Sequence, residues 1–242
     1  MGRKFLAMML VAFAALPVWG CREKSRMSEA KEIVSKMPLE RKIGQMMMVG
    51  VHGKSMSPET ASALSRYYPG GVILFGFNLG DRNAISSFTR ELQNESMKHA
   101  GMPLFISIDQ EGGRVWRIVD GVTQFPGNMA MGACGDPELV RKAALVLGMQ
   151  LRALGVNMNL APVLDVNNNP LNPVINTRSF GSSPLSVAML GVAYILGIQQ
   201  AYCIAVAKHF PGHGDTGDDS HVTLPVIRYG LERLMSVEFT PF

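Results

Sequence analysis

The 242 residues predict an α/β protein built as a (β/α)8 TIM-type barrel, incomplete in this chain, with about five βα units present. Three observations lead there. Short apolar runs alternate with longer helical patterns, which implies parallel strands joined by right-handed crossovers. The turns after the first strands lack a phosphate-cradling glycine loop, since Gly50-Val51-His52-Gly53 has the wrong spacing, and this argues against a dinucleotide-binding open sheet. Titratable residues directly follow three apolar runs, at Asp109, Asp165 and Lys208-His209, and a closed barrel gathers such groups into one mouth.

Taken in order, Pro38 suits a first helical turn ahead of Leu39 to Gln45, and the globular domain is assigned to residues 37–242. Met46 to Val51 predicts a strand, Ser57 to Tyr68 a helix, Gly71 to Phe75 a strand, Arg82 to His99 a helix and Leu104 to Ile108 a strand. Glu138 to Leu154 is a long helix with Asp136 as its cap and Gly155 as its stop. Asn159 to Val163 and Cys203 to Ala207 are strands, with Pro184 to Ala201 the helix between them, and Leu231 to Glu238 closes the chain as a helix. Eight strands close such a barrel and five are counted here, so three are expected to be missing.

Composition bounds the function classes. With 47% hydrophobic and 17% charged residues the chain has ample material for a core and none of the signature of disorder. The formal net charge of +4 includes Arg3 and Lys4, which belong to a leader; without them 21 basic residues face 19 acidic ones. No basic cluster interleaved with aromatics remains, so no nucleic-acid partner is expected.

Residues 1–20 join Arg3-Lys4 to an apolar run from Phe5 to Leu16, too short to span a bilayer and built like a secretory signal. The run ends Leu16-Pro17-Val18-Trp19-Gly20-Cys21, which resembles a bacterial lipobox and implies an exported protein lipidated at Cys21 and held to a membrane. Cleavage by an ordinary signal peptidase, giving a soluble exported protein, is the alternative. Residues 21–36 read as a Lys/Glu/Ser-rich tether that turns helical at Ala30, Ile33 and Val34. Cys134, in a Gly/Ala turn, and Cys203, in an apolar strand, leave both a disulfide and two buried thiols open; neither has a base beside it, and no disulfide is predicted.

The densest chemistry lies after the last predicted strand, in Lys208-His209-Phe210-Pro211-Gly212-His213-Gly214-Asp215-Thr216-Gly217-Asp218-Asp219-Ser220-His221. Glycine and proline forbid a regular element there, while one lysine, three histidines and three aspartates concentrate titratable groups. The acidic spacing is not that of an EF-hand and the histidines do not have a zinc spacing, so no metal and no cofactor is expected. Pro69-Gly70-Gly71-Val72-Ile73-Leu74-Phe75, Ile108-Asp109-Gln110-Glu111-Gly112-Gly113-Arg114-Val115, Ala161-Pro162-Val163-Leu164-Asp165-Val166 and Asn176-Thr177-Arg178-Ser179-Phe180-Gly181 precede it in order. With Lys-His-Phe-Pro-Gly-His-Gly and Asp-Ser-His these resemble the landmarks of family 3 glycoside hydrolases, in their bacterial β-N-acetylglucosaminidase branch, from about Leu39 to Phe242.

That resemblance implies retaining hydrolysis of terminal β-linked N-acetylglucosamine from a cell-wall or other glycan, with the carbohydrate as partner. It makes His221 the proton donor and acceptor and Asp219 the residue that holds its imidazole, a sensible pairing because imidazole suits proton transfer near neutral pH. It implies Asp109 as acceptor for sugar hydroxyls and Arg117, Arg178, Lys208 and His209 as donors. Glu111 is expected to shape its turn, Asp165 to brace loops and His213 to orient the loop around it. The family's aspartate nucleophile, on a later Ser-Asp-Asp loop, has no counterpart, so it is expected beyond Phe242. A truncated, lipid-anchored sugar-binding protein and a phosphorolytic enzyme of the same family are the other readings.

Overall fold

The structure, a computed structural model, describes residues 18–242, with side chains from Arg26 onward. The leader through Pro17 and the side chain of Cys21 lie outside the described residues. Among the described residues no helix is long and apolar enough to cross a membrane.

A helix α1 (Val18–Lys36) takes in the predicted tether and leads into α2 (Leu39–Gln45), for which Pro38 is the N-cap. Then come β1 (Met48–Gly50), α3 (Pro58–Tyr67), β2 (Gly71–Leu74), α4 (Arg82–Ala100) and β3 (Phe105–Ile108). The second half holds α5 (Asn128–Cys134), α6 (Pro137–Ala153), β4 (Met158–Asn159), α7 (Pro184–Gln200), β5 (Ile204–Ala205) and α8 (Leu231–Ser236). Polar caps set the helix starts. Ser57 Oγ accepts from Thr60 N at 3.1 Å, Asp81 Oδ1 from Ala84 N at 2.9 Å, and Asp136 Oδ1 from Glu138 N at 2.9 Å.

The five strands lie in sequence order, β1-β2-β3-β4-β5, and every neighbouring pair is parallel. This is the arc of a TIM-type barrel, carrying five of its βα units. Leu74, Ile108, Asn159 and Ala205 pair in one row, so the residues that follow them emerge side by side at the carboxyl ends. Val72, Leu74, Ile106 and Ile108 are buried, as parallel strands covered by helices must be.

Three expectations are corrected. The strand predicted over Asn159 to Val163 is regular only at Met158–Asn159, and pairing resumes as an isolated bridge between Val163 and Lys208. Pro162 explains the gap, since it has no N–H to give the ladder. Met46 and Met47 do not join β1; their N–H groups donate to Ile43 and Gly44 O and so close α2. Cys134, expected in a Gly/Ala turn, ends α5 and is exposed, whereas Cys203 is buried and its thiol is pushed up to about 11 by that burial.

The α6/α7 contact is the most extensive between helices, and glycine on each side permits it. A Cβ on Gly197 would stand 2.2 Å from Arg141 O, and one on Gly148 would stand 2.7 Å from Ala201 Cβ. Gly197→Ala is therefore expected to force the helices apart and cost about 1–3 kcal/mol in urea unfolding. Gly76→Ala, where a Cβ meets nothing within 4 Å, should stay within about 0.5 kcal/mol.

Candidate active site

At the carboxyl ends of the strands lies a pocket of about 290 Å³, lined among others by Asp109, Glu111, Arg117, Arg178, Lys208 and His221. Its floor is an ion network. Lys208 Nζ lies 2.6 Å from Asp109 Oδ1 and 2.6 Å from Glu111 Oε1. Glu111 in turn accepts two bonds from Arg178, from Nε at 2.9 Å and from Nη2 at 2.8 Å. The bidentate geometry is the strong form of this contact. Burial alone pushes the Arg178 guanidinium down, but its paired Glu111 carboxylate outweighs that and holds it above the usual arginine value.

Each member is placed by its neighbours. Gln110, wholly buried, accepts from Arg117 N at 2.9 Å and Ile118 N at 3.0 Å and donates to Ile118 O at 2.9 Å. It thereby closes the turn that delivers Arg117 to the pocket. Glu111 shares in shaping the turn, its N–H donating to Val115 O at 2.9 Å, while Gln110 staples it, and the Glu111 side chain is in addition the hub of the ion network. Arg178 sits in a single 3-10 turn, Asn176–Arg178, whose Arg178 O accepts from Asn128 Nδ2 at 2.8 Å. The Arg117 side chain lines the pocket with no hydrogen bond or ion pair of its own among the described residues.

The loop after β5 is held by Asp165, which has no solvent exposure. Its Oδ1 accepts from His213 N at 2.6 Å and His209 N at 3.3 Å, and its Oδ2 lies 2.6 Å from His209 Nδ1. Arg178 Nη2 stands 3.3 Å from His209 Nε2. Arginine can only donate, so Nε2 accepts and the ring proton sits on Nδ1, donated to Asp165. Both His209 nitrogens are thus engaged within the protein, whereas the resemblance implies that this side chain donates to a sugar. A close approach anchors the next turn: a Cβ on Gly214 would stand 1.8 Å from Val166 O, so only glycine fits.

The Asp219–His221 pair forms at the rim. Asp219 Oδ1 accepts from His221 N at 2.8 Å and from its Nδ1 at 2.7 Å. The first of these bonds, with the ring contact second, holds the Asp219 carboxyl below the usual carboxylate range. The His221 side chain is 78% exposed. With Nδ1 committed to Asp219, Nε2 is the ring atom left for the pocket. Among the described residues no group of three or more metal-ligating side chains converges.

The pocket collects Asp109, Arg117, Arg178, Lys208, His209 and His221 from stretches far apart in sequence, with Asp219 directly behind His221. Sequence reasoning gave Glu111 its turn but not its ion network; its spacing two after Asp109 was a readable signal, but its partners come from residues 178 and 208. Replacing one partner of a buried ion pair leaves the others uncompensated, at about 3–5 kcal/mol. Glu111→Gln is expected to lose stability on that scale in chemical unfolding, and a loss below about 1 kcal/mol would show that Asp109 alone suffices for the two cations.

The model of the Glycosyl hydrolase family 3 N terminal domain matches residues 38–242. The chain is 42% identical over 193 residues to beta-hexosaminidase A of Pseudoalteromonas piscicida, covering 78% of this chain and 32% of that protein. It is 38% identical over 202 residues to the beta-hexosaminidase of Thiobacillus denitrificans, covering 81% and 55%. Among solved structures, a family 3 beta-N-acetylglucosaminidase from Paenibacillus superposes with a TM-score of 0.83 at 47% identity, over 85% of this chain and 39% of the other. Native NagZ from Neisseria gonorrhoeae superposes with a TM-score of 0.75 at 30% identity, over 81% and 57%. The chain spans between 32% and 55% of the length of these two curated relatives. The matched model, the parallel barrel arc and the strand-end pocket agree, and the chain belongs to glycosyl hydrolase family 3, in its N-terminal domain.

Proposed function

We propose that this protein hydrolyses terminal β-linked N-acetylglucosamine from cell-wall or other glycans with retention of configuration. The observation that carries the reading is the Asp219–His221 pair, bonded at 2.7 Å, on the rim of a pocket floored by Asp109, Lys208 and Arg178. The names of the relatives, beta-hexosaminidase and beta-N-acetylglucosaminidase, support the substrate class.

In this reading the glycan's terminal sugar lies in the pocket with Asp109 accepting from its hydroxyls and Lys208, Arg178 and Arg117 donating to them. His209 keeps Arg178 turned toward the sugar. His221 Nε2 protonates the departing glycosidic oxygen and later takes a proton from the attacking water, while the Asp219 anion stabilises the imidazolium in between. Retention also needs a carboxylate nucleophile. Asp165 is wholly buried, Glu111 is 2% exposed and Asp109 is tied to Lys208, so none is assigned that role. No residue of 1–242 is therefore assigned as nucleophile.

The leader Met1–Gly20 and the Gly20-Cys21 junction support export and a lipid anchor at Cys21, with the domain facing the periplasm or cell surface. Several acyl chains at about 0.8 kcal/mol per buried methylene make such an anchor firm. Cys21→Ser is expected to move the protein from the membrane fraction to the soluble one, or to leave an unprocessed precursor. Wild-type protein found wholly soluble after export would reject the anchor.

A proton donor matters most for a poor leaving group. In the full-length protein, His221→Ala should therefore slow hydrolysis of a natural glycan by roughly 10²- to 10⁴-fold and that of a nitrophenyl glycoside far less. Asp219→Asn should act more mildly. Because the Asp219 carboxyl is held low, its support is present above the ordinary carboxylate range and is lost only as the pH falls through that lowered value. Its removal should therefore move the alkaline limb of the pH–rate profile to lower pH, since the imidazolium loses its stabilising anion. Equal losses on both substrates with an unmoved profile would make the pair a loop clasp instead.

A further inference from the structure

The turn that carries the acid/base pair is almost unsupported by packing. Asp219 is half-buried and Ser220, His221, Val222 and Thr223 are exposed, Val222 at 80%. Within the turn, Val222 N and Thr223 N both donate to Asp219 O at 3.0 Å. Among the hydrogen bonds of the described residues, only one ties residues 219–223 to the rest of the fold: Ser220 Oγ to His213 Nε2 at 2.9 Å.

The other end of that bond is rigid. His213 is buried, its N–H is given to Asp165, and its carbonyl accepts from Asn172 Nδ2 at 2.7 Å. Asn172, also buried, accepts from Ile175 N at 2.7 Å and Val174 N at 2.9 Å. Proton positions follow from the partners. When Thr216 Oγ1 gives its single proton to His213 O at 3.0 Å and receives Asn172 Nδ2 at 3.3 Å, it is an acceptor toward the ring. His213 Nδ1, in contact with that oxygen, therefore carries the ring proton. In the neutral ring Nε2 is then a bare acceptor, and Ser220 must donate to it.

We propose that Ser220 is a positioning residue, whose hydroxyl, donated to His213 Nε2, is the pin that holds Asp219 and His221 at the pocket. The chain Asn172–Thr216–His213–Ser220 carries order from the buried loop to an exposed turn. The proposal deepens the hydrolase reading and rests on it for the catalytic consequence. Ser220 lines the pocket beside His221, and the task assigned to it is to hold the pair rather than to exchange a proton. Its loss leaves His221 and Asp219 chemically intact but spreads them over positions from which few reach a glycosidic oxygen.

Two measurements on the full-length protein test it, with Ser220→Ala as the variant, an exposed change that leaves the buried His213 in place. The first is NMR: imidazole ¹⁵N shifts of His213 and backbone order parameters for residues 209–223. The Nδ1 of His213 is expected to carry a proton and its Nε2 to accept from Ser220, and Ser220→Ala to loosen residues 219–223 while 209–213 stay as they were. A proton on Nε2 in the wild type, or an unchanged turn, would overturn the pin. The second is kinetic. Ser220→Ala should lower kcat roughly five- to tenfold on a glycan with a poor leaving group, the value of about one hydrogen bond, and change KM little. A nitrophenyl glycoside should be nearly unaffected, and Ser220→Thr, which keeps the hydroxyl, should restore the rate. Equal losses on both substrates, or none on either, would reject the positioning role. If the wild type cleaved neither substrate, the hydrolase reading would fail with the catalytic half of this proposal, and the NMR result alone would decide whether the pin exists.

Discussion

The loop that follows β5 owes its course to one carboxylate with no access to water. An ionised Asp165 in that position is costly unless donors replace its hydration. They come from the main chain of His209 and His213 and from the His209 ring, three N–H groups on two oxygens. The loop must bend so that residues four apart reach the same acid. The backbone of Asp165 serves a second loop as well, since its carbonyl accepts from Ser179 Oγ at 2.6 Å. One residue thus locks together the segments that present Arg178, Lys208 and His209.

Around that lock the site divides by solvent exposure. Glu111, Arg178 and Lys208 are nearly dry, with side chains 2%, 12% and 15% exposed, and every charge among them has an opposite partner. Such a network resists reorganisation and suits the proposed contacts to sugar hydroxyls, which demand fixed donors and acceptors. His221 stands mostly in water, at 78%, and is held by a turn with little packing. A group that must give a proton in one step and take one back in the next benefits from exchange with solvent, but it needs some means of being held in register. The buried half supplies precision by ion pairing, and the exposed half borrows it through hydrogen bonds.

Much of this was readable in the residues. Alternating apolar runs located all five strands, and Ser57, Asp81 and Asp136 have the side chains that cap helices. The strand-end positions of Asp109, Asp165 and Lys208 announced a common mouth. What escaped was set by tertiary partners. Glu111 looks like any turn carboxylate until Arg178 and Lys208 arrive from distant loops, and Gln110 gives no local hint that its amide closes the turn back to Ile118. Residues 128–134, with two methionines, two alanines and a glycine, have too few turns to show a helical period, so α5 passed for a turn. The break in β4 is legible in Pro162, although the apolar run continues through it.

The ion network also bears on the shape of the sheet. Asp109 follows β3 and Lys208 lies beyond β5, two strands away, which in a flat sheet is a separation of about 10 Å. The pair nevertheless closes to 2.6 Å. Glu111 joins them and passes the contact on to Arg178. Attraction between such groups grows as they approach, and more so where water is excluded. A sheet that is concave toward the pocket shortens every one of these distances, and one that flattens lengthens them. The charges that make the pocket a plausible sugar site therefore favour the same curvature that twisted parallel strands need to form a barrel wall, so that site and fold are stabilised by one set of contacts rather than traded against each other.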